Sequence, residues 1–217
     1  MLTIKIDNSI LTQFYNIINS PTSKTEMKDL FIIEDQDSIK NIVSKIVDTD
    51  SYYYGNIFSH KEPFTIHSDI CDKKKTIMLI PIEAHITQKF VVFDQTINQN
   101  NPVSWIYNIF DQKSVKELKE MYYENSLKSR PCDHPNVQNL TNSPVSDDLY
   151  KHLPYTKDLY FGLTGQVWDY KPGTALFFDA NKIHATGIMK LPKIGCTIQF
   201  TESLKNLQNL IKAHNQF

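Results

Sequence analysis

Three side chains in this sequence have the chemistry and the spacing of a metal site. His67 and Asp69 are two positions apart in an extended stretch, and His184 follows much later, after an apolar run. Alternate residues of a strand point to the same side, so His67 and Asp69 can both reach one ion. Two imidazoles and one carboxylate hold Fe(II) on one face and leave positions open for other ligands. The pattern therefore predicts one metal bound by His67, Asp69 and His184.

The two parts of this pattern differ in specificity. A histidine two positions before an aspartate is common, and it also fits an exposed strand with two polar residues. The surroundings of His184 are more distinctive: the turn at Pro172-Gly173, an apolar strand over 174–179, a short polar link and then the histidine. Other polar residues could compete as ligands, but they lie in predicted turns, loops or at a strand end; they are His60, His85 and the group Cys132, Asp133 and His134.

These separated pieces resemble the motifs of the Fe(II)/2-oxoglutarate-dependent dioxygenases, particularly the phytanoyl-hydroxylase-like and prolyl-hydroxylase-like branches. The matching pieces are His67-Ser68-Asp69, the strand over 174–179 leading to His184, and the basic residue Lys193. They occur in the family's order and on the expected types of element. The resemblance covers roughly residues 50–201.

The resemblance implies a double-stranded β-helix, which is a jelly-roll or cupin-like fold of two facing sheets with the metal at one end. It also implies Fe(II) as the metal, 2-oxoglutarate as co-substrate and O2 as oxidant. The expected reaction hydroxylates an unactivated C–H bond and releases succinate and CO2. The expected substrate is a small molecule or an amino acid, with a peptide as an open alternative.

The far carboxylate of 2-oxoglutarate needs a cation, because an unpaired buried carboxylate is costly. The family usually supplies an arginine, but here Lys190 and Lys193 follow His184, and Arg130 is the only arginine. From Lys193 to Thr201 the polar residues alternate with apolar ones, so Lys193 and Thr197 share one face of a strand. We therefore expect Lys193 and Thr197 to bind the co-substrate, with Lys190 and Arg130 as alternatives.

The remaining chain predicts a mainly β single domain with flanking helices. Helical spacing of apolar residues over 8–19 and 38–47 predicts a helical buttress in residues 1–50. Repeated short β-prone runs from 51 to 201 predict the β core, and residues 202–217 predict a C-terminal helix. Within the core, residues 98–160 form an insert, with a helix predicted over 115–123, that we expect at the mouth of the barrel.

Bulk composition restricts the partners. The formal charge of −1 over 217 residues makes nucleic acid an improbable ligand. No stretch approaches the roughly 20 apolar residues that span a bilayer. The three cysteines are widely spaced and predict no disulfide framework, which favours a reducing cytoplasm.

Two other interpretations stay open at this point. One is a metal cupin with a different activity, in which Lys193 would have no partner. The other is a non-catalytic jelly-roll binding module whose metal motif is coincidental. Asp179 is a candidate for orienting a ligand imidazole. The aromatic candidates for lining the mouth of the barrel, with core packing as the alternative, are Tyr52, Tyr53, Tyr54, Phe64, Trp105 and Trp168.

Overall fold

The computed structural model describes residues 1–21, 24–27, 30–48, 50–64, 66–70, 73–99, 102–105, 126–127 and 129–211. The helices are α1 (Asn8–Asn19), α2 (Gln36–Val43), α3 (Asp147–Tyr150) and α4 (Leu204–Gln208). The strands are β1 (Leu2–Lys5), β2 (Lys24–Met27), β3 (Leu30–Ile33), β4 (Tyr52–His60), β5 (Ile66–Ser68), β6 (Thr76–Glu83), β7 (Lys89–Ile97), β8 (Val103–Trp105), β9 (Ser126–Leu127), β10 (Val137–Gln138), β11 (Gly165–Asp169), β12 (Thr174–Asp179), β13 (Lys182–Thr186) and β14 (Lys193–Phe200).

The strands form two sheets. The first sheet has the order β1-β12-β6-β14-β4-β3-β2, and the second has the order β10-β7-β13-β5-β8-β9, with β11 also paired to β7. Going along the chain, β4, β6, β12 and β14 lie in the first sheet, while β5, β7, β11 and β13 lie in the second. These eight strands pair only antiparallel with one another. This strand order is that of a double-stranded β-helix, as the sequence predicts.

Helices α1, α2 and α4 cover the outer face of the first sheet. Each begins at an aspartate or serine whose side chain accepts a hydrogen bond from a first-turn amide, at Asp7, Asp35 and Ser203. The apolar faces of α1 and α2 pack with the outward-facing residues of the sheet in one buried cluster. Burial of this cluster anchors the N-terminal and C-terminal segments to the β core.

The outer face of the second sheet is covered by residues 137–163. Ile66, Val91 and Ala185 of the sheet share a buried cluster with Val137, Leu149 and other apolar residues of this segment. By strand alternation, this face is opposite to the one that carries His67 and His184. The described part of the predicted insert therefore lies mainly against the outer face of the second sheet. Among its described residues, only Pro102 lines the central cavity. The predicted helix over 115–123 lies outside the described residues.

Several predicted elements differ from the structure in extent. The C-terminal helix is confined to Leu204–Gln208 among the residues described. The predicted polar link before His184 is confined to two residues, and the histidine itself lies inside β13. A turn at Ala180-Asn181 carries the chain from β12 in the first sheet to β13 in the second. Within the described part of the chain, no helix is long and apolar enough to span a membrane.

Candidate metal site and cavity

The structure brings His67, Asp69 and His184 together between the two sheets. His67 of β5 and His184 of β13 are direct cross-strand partners, and Asp69 follows the end of β5. The Nε2 atoms of His67 and His184 lie 4.0 and 3.4 Å from the two carboxylate oxygens of Asp69. Both histidines are buried. We call these three residues the metal trio.

The ring of His184 is oriented by the backbone of its own strand. Its Nδ1 lies 3.0 Å from the carbonyl oxygen of Lys182, next to an irregularity in the pairing of β13 with β7. A carbonyl can only accept, so Nδ1 donates this hydrogen bond and Nε2 is the ring nitrogen that faces Asp69. In a neutral ring with this tautomer, Nε2 is the atom that can bind a metal ion, and it lies 3.4 Å from a carboxylate oxygen of Asp69. Asp179, the candidate for orienting a ligand ring, is not among the residues that line the cavity of the metal trio.

The electrostatics of Asp69 fit a cation at the same place. Burial by itself raises the pKa of this carboxyl, but the hydrogen bond from His184 and the nearby charges of His67, His184 and Lys74 outweigh it. The net effect lowers the pKa of Asp69 well below its ordinary value, so the group is an anion at any physiological pH. An ionised carboxylate and two imidazoles are oxygen and nitrogen donors suited to divalent iron.

The spacing of the donor atoms also fits a metal. One ligand atom from each of the three residues lies within 4.8 Å of the others. Bonds of about 2.1 Å to one ion require the donors to lie within about 4.2 Å of each other. Three donors on one face of an ion lie closer together than this limit, so the donor atoms have to approach one another when the ion binds, which rotation of the side chains allows. Within the described ranges, no other group of three such residues is close enough to hold an ion.

The metal trio opens into a cavity of about 300 Å³ between the two sheets. Phe90 and Phe178 pack against His184, with ring centroids 5.6 and 4.9 Å from its ring. Phe64 packs against His67 at 4.7 Å. The cavity then extends along the inward side of β14 and β4, where Lys193, Thr197 and Gln199 line it from β14. A small ligand can therefore contact the metal trio and β14 at the same time.

Lys193 lies at one end of this cavity and is 2% exposed. Its ammonium donates a hydrogen bond of 2.9 Å to Thr186, and lies 4.5 Å from the ring centroid of Tyr170. The rings of Phe58 and Phe90 are 5.8 and 5.9 Å away. No carboxylate of the described residues pairs with it. Burial lowers the pKa of Lys193 to about 7, because nearby rings replace water poorly as a solvent for its charge.

A glycine makes room for this enclosure of Lys193. Gly195 is the next inward-facing residue of β14, and a Cβ there would come within 2.0 Å of the Tyr170 hydroxyl oxygen and 2.8 Å of Phe58. Only a residue without a side chain allows both rings to pack over the lysine. Lys193, Thr186, Tyr170 and Gly195 together form what we call the lysine end of the cavity.

The other predicted co-substrate residues fall in different places. Thr197 lines the cavity two positions beyond Gly195. Lys190 is exposed in the turn before β14. Arg130 is paired with Asp133 and Asp158 at 3.0 Å, away from the cavity lining. The structure therefore brings Lys193 and Thr197 to the cavity and leaves Lys190 and Arg130 outside it.

The sequence analysis missed His60 as a cavity residue. We expected it in a turn, but β4 continues to His60, which lies directly opposite Lys193 on β14 and lines the cavity. Burial and the charges of Lys193 and His67 lower the pKa of His60 well below its ordinary value, so the ring is neutral. Strand alternation back from His60 through Phe58 and Asn56 was the signal that could have identified it.

Comparisons with known proteins show a similarity of fold alone. No protein-family model and no curated protein sequence matches the chain. Among solved structures, an oxidoreductase of the 2OG-Fe(II) oxygenase family from Burkholderia pseudomallei is 8% identical, with a TM-score of 0.47, and the match covers 91% of this chain and 81% of that one. EctD from S. alaskensis is 12% identical, with a TM-score of 0.45 and coverage of 94% and 73%.

A third similar structure is HygX from Streptomyces hygroscopicus with nickel, 2-oxoglutarate and hygromycin B bound. It is 8% identical, with a TM-score of 0.44 and coverage of 92% of this chain and 81% of that one. At such values the likeness carries no conclusion about activity. The fold assignment above rests on the strand order of this chain, and the site on the geometry of its own residues.

Proposed function

We propose that this protein is an Fe(II)- and 2-oxoglutarate-dependent oxygenase that hydroxylates a C–H bond of a small molecule. The observation that carries the proposal is one cavity with the metal trio on one wall and, on another, the buried ammonium of Lys193, with which no carboxylate of the described residues pairs. A cation site and an anion site so arranged match a ligand with one metal-binding end and one carboxylate end.

His67, Asp69 and His184 would hold the iron, and three ligands on one side leave its other positions free. Lys193 would hold the far carboxylate of 2-oxoglutarate, with Thr186 fixing the direction of the ammonium. Thr197 is the further predicted co-substrate residue on the same wall. Phe64, Phe90 and Phe178 exclude water around the ligand imidazoles.

When bound, iron and 2-oxoglutarate supply from O2 the oxidising power for hydroxylation, with succinate and CO2 as by-products. The protein itself contributes three ligands, one buried cation and a dry cavity. The two alternative interpretations fit less well. Another cupin activity leaves Lys193 without a partner, and a non-catalytic module gives no reason to bring two imidazoles and a carboxylate within 4.8 Å of one another.

The test is an anaerobic titration of the purified protein with Fe(II) and then 2-oxoglutarate, followed by visible absorption. We expect a weak charge-transfer band that appears only when both Fe(II) and 2-oxoglutarate are present, because the band reports chelation of the iron by the keto acid. Admission of air should convert 2-oxoglutarate to succinate in an iron-dependent way. A protein that binds Fe(II) yet gives neither the band nor succinate is not an oxygenase of this class.

A further inference from the structure

His60 faces the cavity next to the lysine end. It is the direct partner of Lys193 across the antiparallel pair of β4 and β14, and both side chains line the cavity. Residues opposite each other in such a pair have Cβ atoms about 5 Å apart. A ligand group that contacts the ammonium of Lys193 is therefore within reach of the imidazole of His60.

Two phenylalanine rings hold the imidazole of His60 in place. The rings of Phe58 and Phe64 pack edge-on against it, each with a centroid distance of 5.0 Å. The ring centroid of Phe58 also lies 5.8 Å from the ammonium of Lys193, and that of Phe64 lies 4.7 Å from the ring of His67. His60 is thus positioned between the lysine end and the metal trio, along the length of the proposed co-substrate.

The hydrogen-bonding capacity of His60 is available to a ligand. Its imidazole makes no hydrogen bond with any described residue, and the residue is half-buried where it lines the cavity. Burial, with the charges of Lys193 and His67, holds the pKa of His60 well below its ordinary value, so the ring is neutral. A neutral imidazole has one nitrogen that donates and one that accepts.

The donors next to Lys193 match what a carboxylate accepts. A carboxylate has two oxygens with about four lone-pair sites, and a buried one is costly unless these sites are filled. Lys193 gives one N–H group to Thr186 and keeps the others for a ligand, while Thr186 accepts that bond and keeps its own hydroxyl proton. The hydroxyl of Tyr170 is directed elsewhere, to the carbonyl of Ile194. The N–H group of His60 supplies a further donor from the opposite strand.

We propose that His60 is a second binding residue for the far carboxylate of the co-substrate, to which it donates a hydrogen bond alongside Lys193. The inference rests on the proposed function, because it concerns the same co-substrate. It gives His60 a role in specificity, since the hydrogen bond forms only with a keto acid that has a second carboxylate. The competing explanation is that His60 only fills the space between Phe58 and Phe64.

The experiment compares two five-carbon keto acids, 2-oxoglutarate and 2-oxopentanoate, which share the metal-binding end and differ in the far carboxylate. Their binding to the protein loaded with Fe(II) is measured without oxygen, by calorimetry and by titration of the charge-transfer band. His60→Phe keeps a flat ring and removes the donor. We expect affinity for 2-oxoglutarate to fall about tenfold to 100-fold, as for one hydrogen bond to a charged group, and affinity for 2-oxopentanoate to stay unchanged. His85→Phe, in the β6–β7 turn, is the control and should change neither affinity.

Two further variants separate a hydrogen-bonding role of His60 from a packing role. His60→Asn keeps an amide N–H near the place of Nδ1, and His60→Gln keeps one near the place of Nε2. One of the two should bind 2-oxoglutarate more tightly than His60→Phe, although neither fills the space of the ring. All three variants should bind Fe(II) as the unchanged protein does, which shows that the metal trio is intact in each.

Several results would overturn the inference. An equal loss for both keto acids in His60→Phe would show that the ring shapes the cavity without contacting the carboxylate, and no loss would show that the carboxylate is bound without it. Weaker 2-oxoglutarate binding in both amide variants than in His60→Phe would assign His60 to packing. If His60→Phe loses Fe(II) binding, the inference requires that His60→Asn and His60→Gln differ in affinity for 2-oxoglutarate but not for 2-oxopentanoate.

The proposed function fails in a different way. A protein that binds Fe(II) but neither keto acid, and shows no charge-transfer band, rejects the oxygenase function and this inference with it. A protein that gives the band but shows any of the overturning results for His60 keeps the oxygenase function and loses only the role of His60.

Discussion

The metal trio and Lys193 are two buried ionic groups in one cavity, and they differ in how the protein neutralises them. The carboxylate of Asp69 has two imidazoles next to it, and these lower its pKa despite burial. Lys193 has a hydroxyl and three aromatic rings around it but no anion among the described residues, and burial lowers its pKa to about 7. Of the two sites, the described side chains supply counter-charges to the first and not to the second. The contrast indicates that the anion for Lys193 comes from a ligand.

The largest expected effect concerns the metal trio. His184→Ala removes one of three metal ligands, and we expect Fe(II) affinity to fall by more than about 100-fold, beyond the effect typical of losing an outer-shell partner. Calorimetry with Fe(II) under nitrogen measures it. His85→Ala, a histidine in the β6–β7 turn, is the matched control and should bind as the unchanged protein does. Equal Fe(II) affinities of the two variants would show that His184 is not a metal ligand.

Lys193→Met tests the other side of the comparison. It removes the buried cation and keeps the length and apolar body of the side chain, so 2-oxoglutarate affinity should fall on the order of 100-fold, as when one partner of a buried charged pair is truncated. Fe(II) affinity should not change. Lys190→Met, in the exposed turn just before β14, is the control. An unchanged affinity for 2-oxoglutarate in Lys193→Met would assign the carboxylate to a different residue.

The pH dependence of co-substrate binding follows from the pKa of Lys193. The free protein carries a charged lysine below pH 7 and a neutral one above it. Only the charged form attracts the carboxylate, so the apparent Kd for 2-oxoglutarate should rise toward about tenfold per pH unit above pH 7. Titrations between pH 7 and 9 measure this slope. In Lys193→Met the same titration should be nearly flat, and an equal slope in both proteins would rule out the lysine as its source.

Gly195→Ala tests the enclosure of Lys193. The new methyl group would overlap the Tyr170 hydroxyl, so we expect the free energy of unfolding to fall by about 1–3 kcal/mol, typical of overpacking. Denaturant unfolding measures it. Adding Tyr170→Phe removes the overlapping oxygen and should restore part of the loss. A double variant no more stable than Gly195→Ala would show that the clash is not with Tyr170.

The smallest effect is a gain in stability. The pKa of Lys193 is about 7 in the folded protein and about 10.5 in the unfolded chain, so the unfolded state binds more protons between these values. Stability without ligand therefore rises with pH across that interval, and the cost of the charged lysine is fully present below pH 7. At pH 6.5, Lys193→Met should be more stable by at least about 1 kcal/mol. A less stable variant would mean that the lysine is held by an interaction other than those described.

Strand alternation explains why much of the site could be predicted from the sequence. Residues two apart on a strand face the same way, so the pair His67 and Asp69 and the set Lys193 and Thr197 follow from local pattern. His60 was missed because it was expected in a turn, whereas β4 continues as far as this residue. The strand around His184 was missed because β13 is only five residues long and begins with a polar lysine.

Long-range packing explains which features could not be predicted from the sequence. Nothing local in residues 137–163 indicates that they cover the outer face of the second sheet, because their apolar residues are separated by polar turns. The position of Glu34 beside Tyr54 depends in the same way on the pairing of β3 with β4. Such contacts arise between segments far apart in the chain, where no sequence spacing records them.

The most direct test of the account is a crystal structure of the protein grown without oxygen, with Fe(II) and 2-oxoglutarate. We expect one metal bonded to His67, Asp69 and His184, chelated by the keto acid, with the far carboxylate of the ligand hydrogen-bonded to the ammonium of Lys193. A metal bound elsewhere, or a co-substrate whose carboxylate lies away from Lys193, would contradict it.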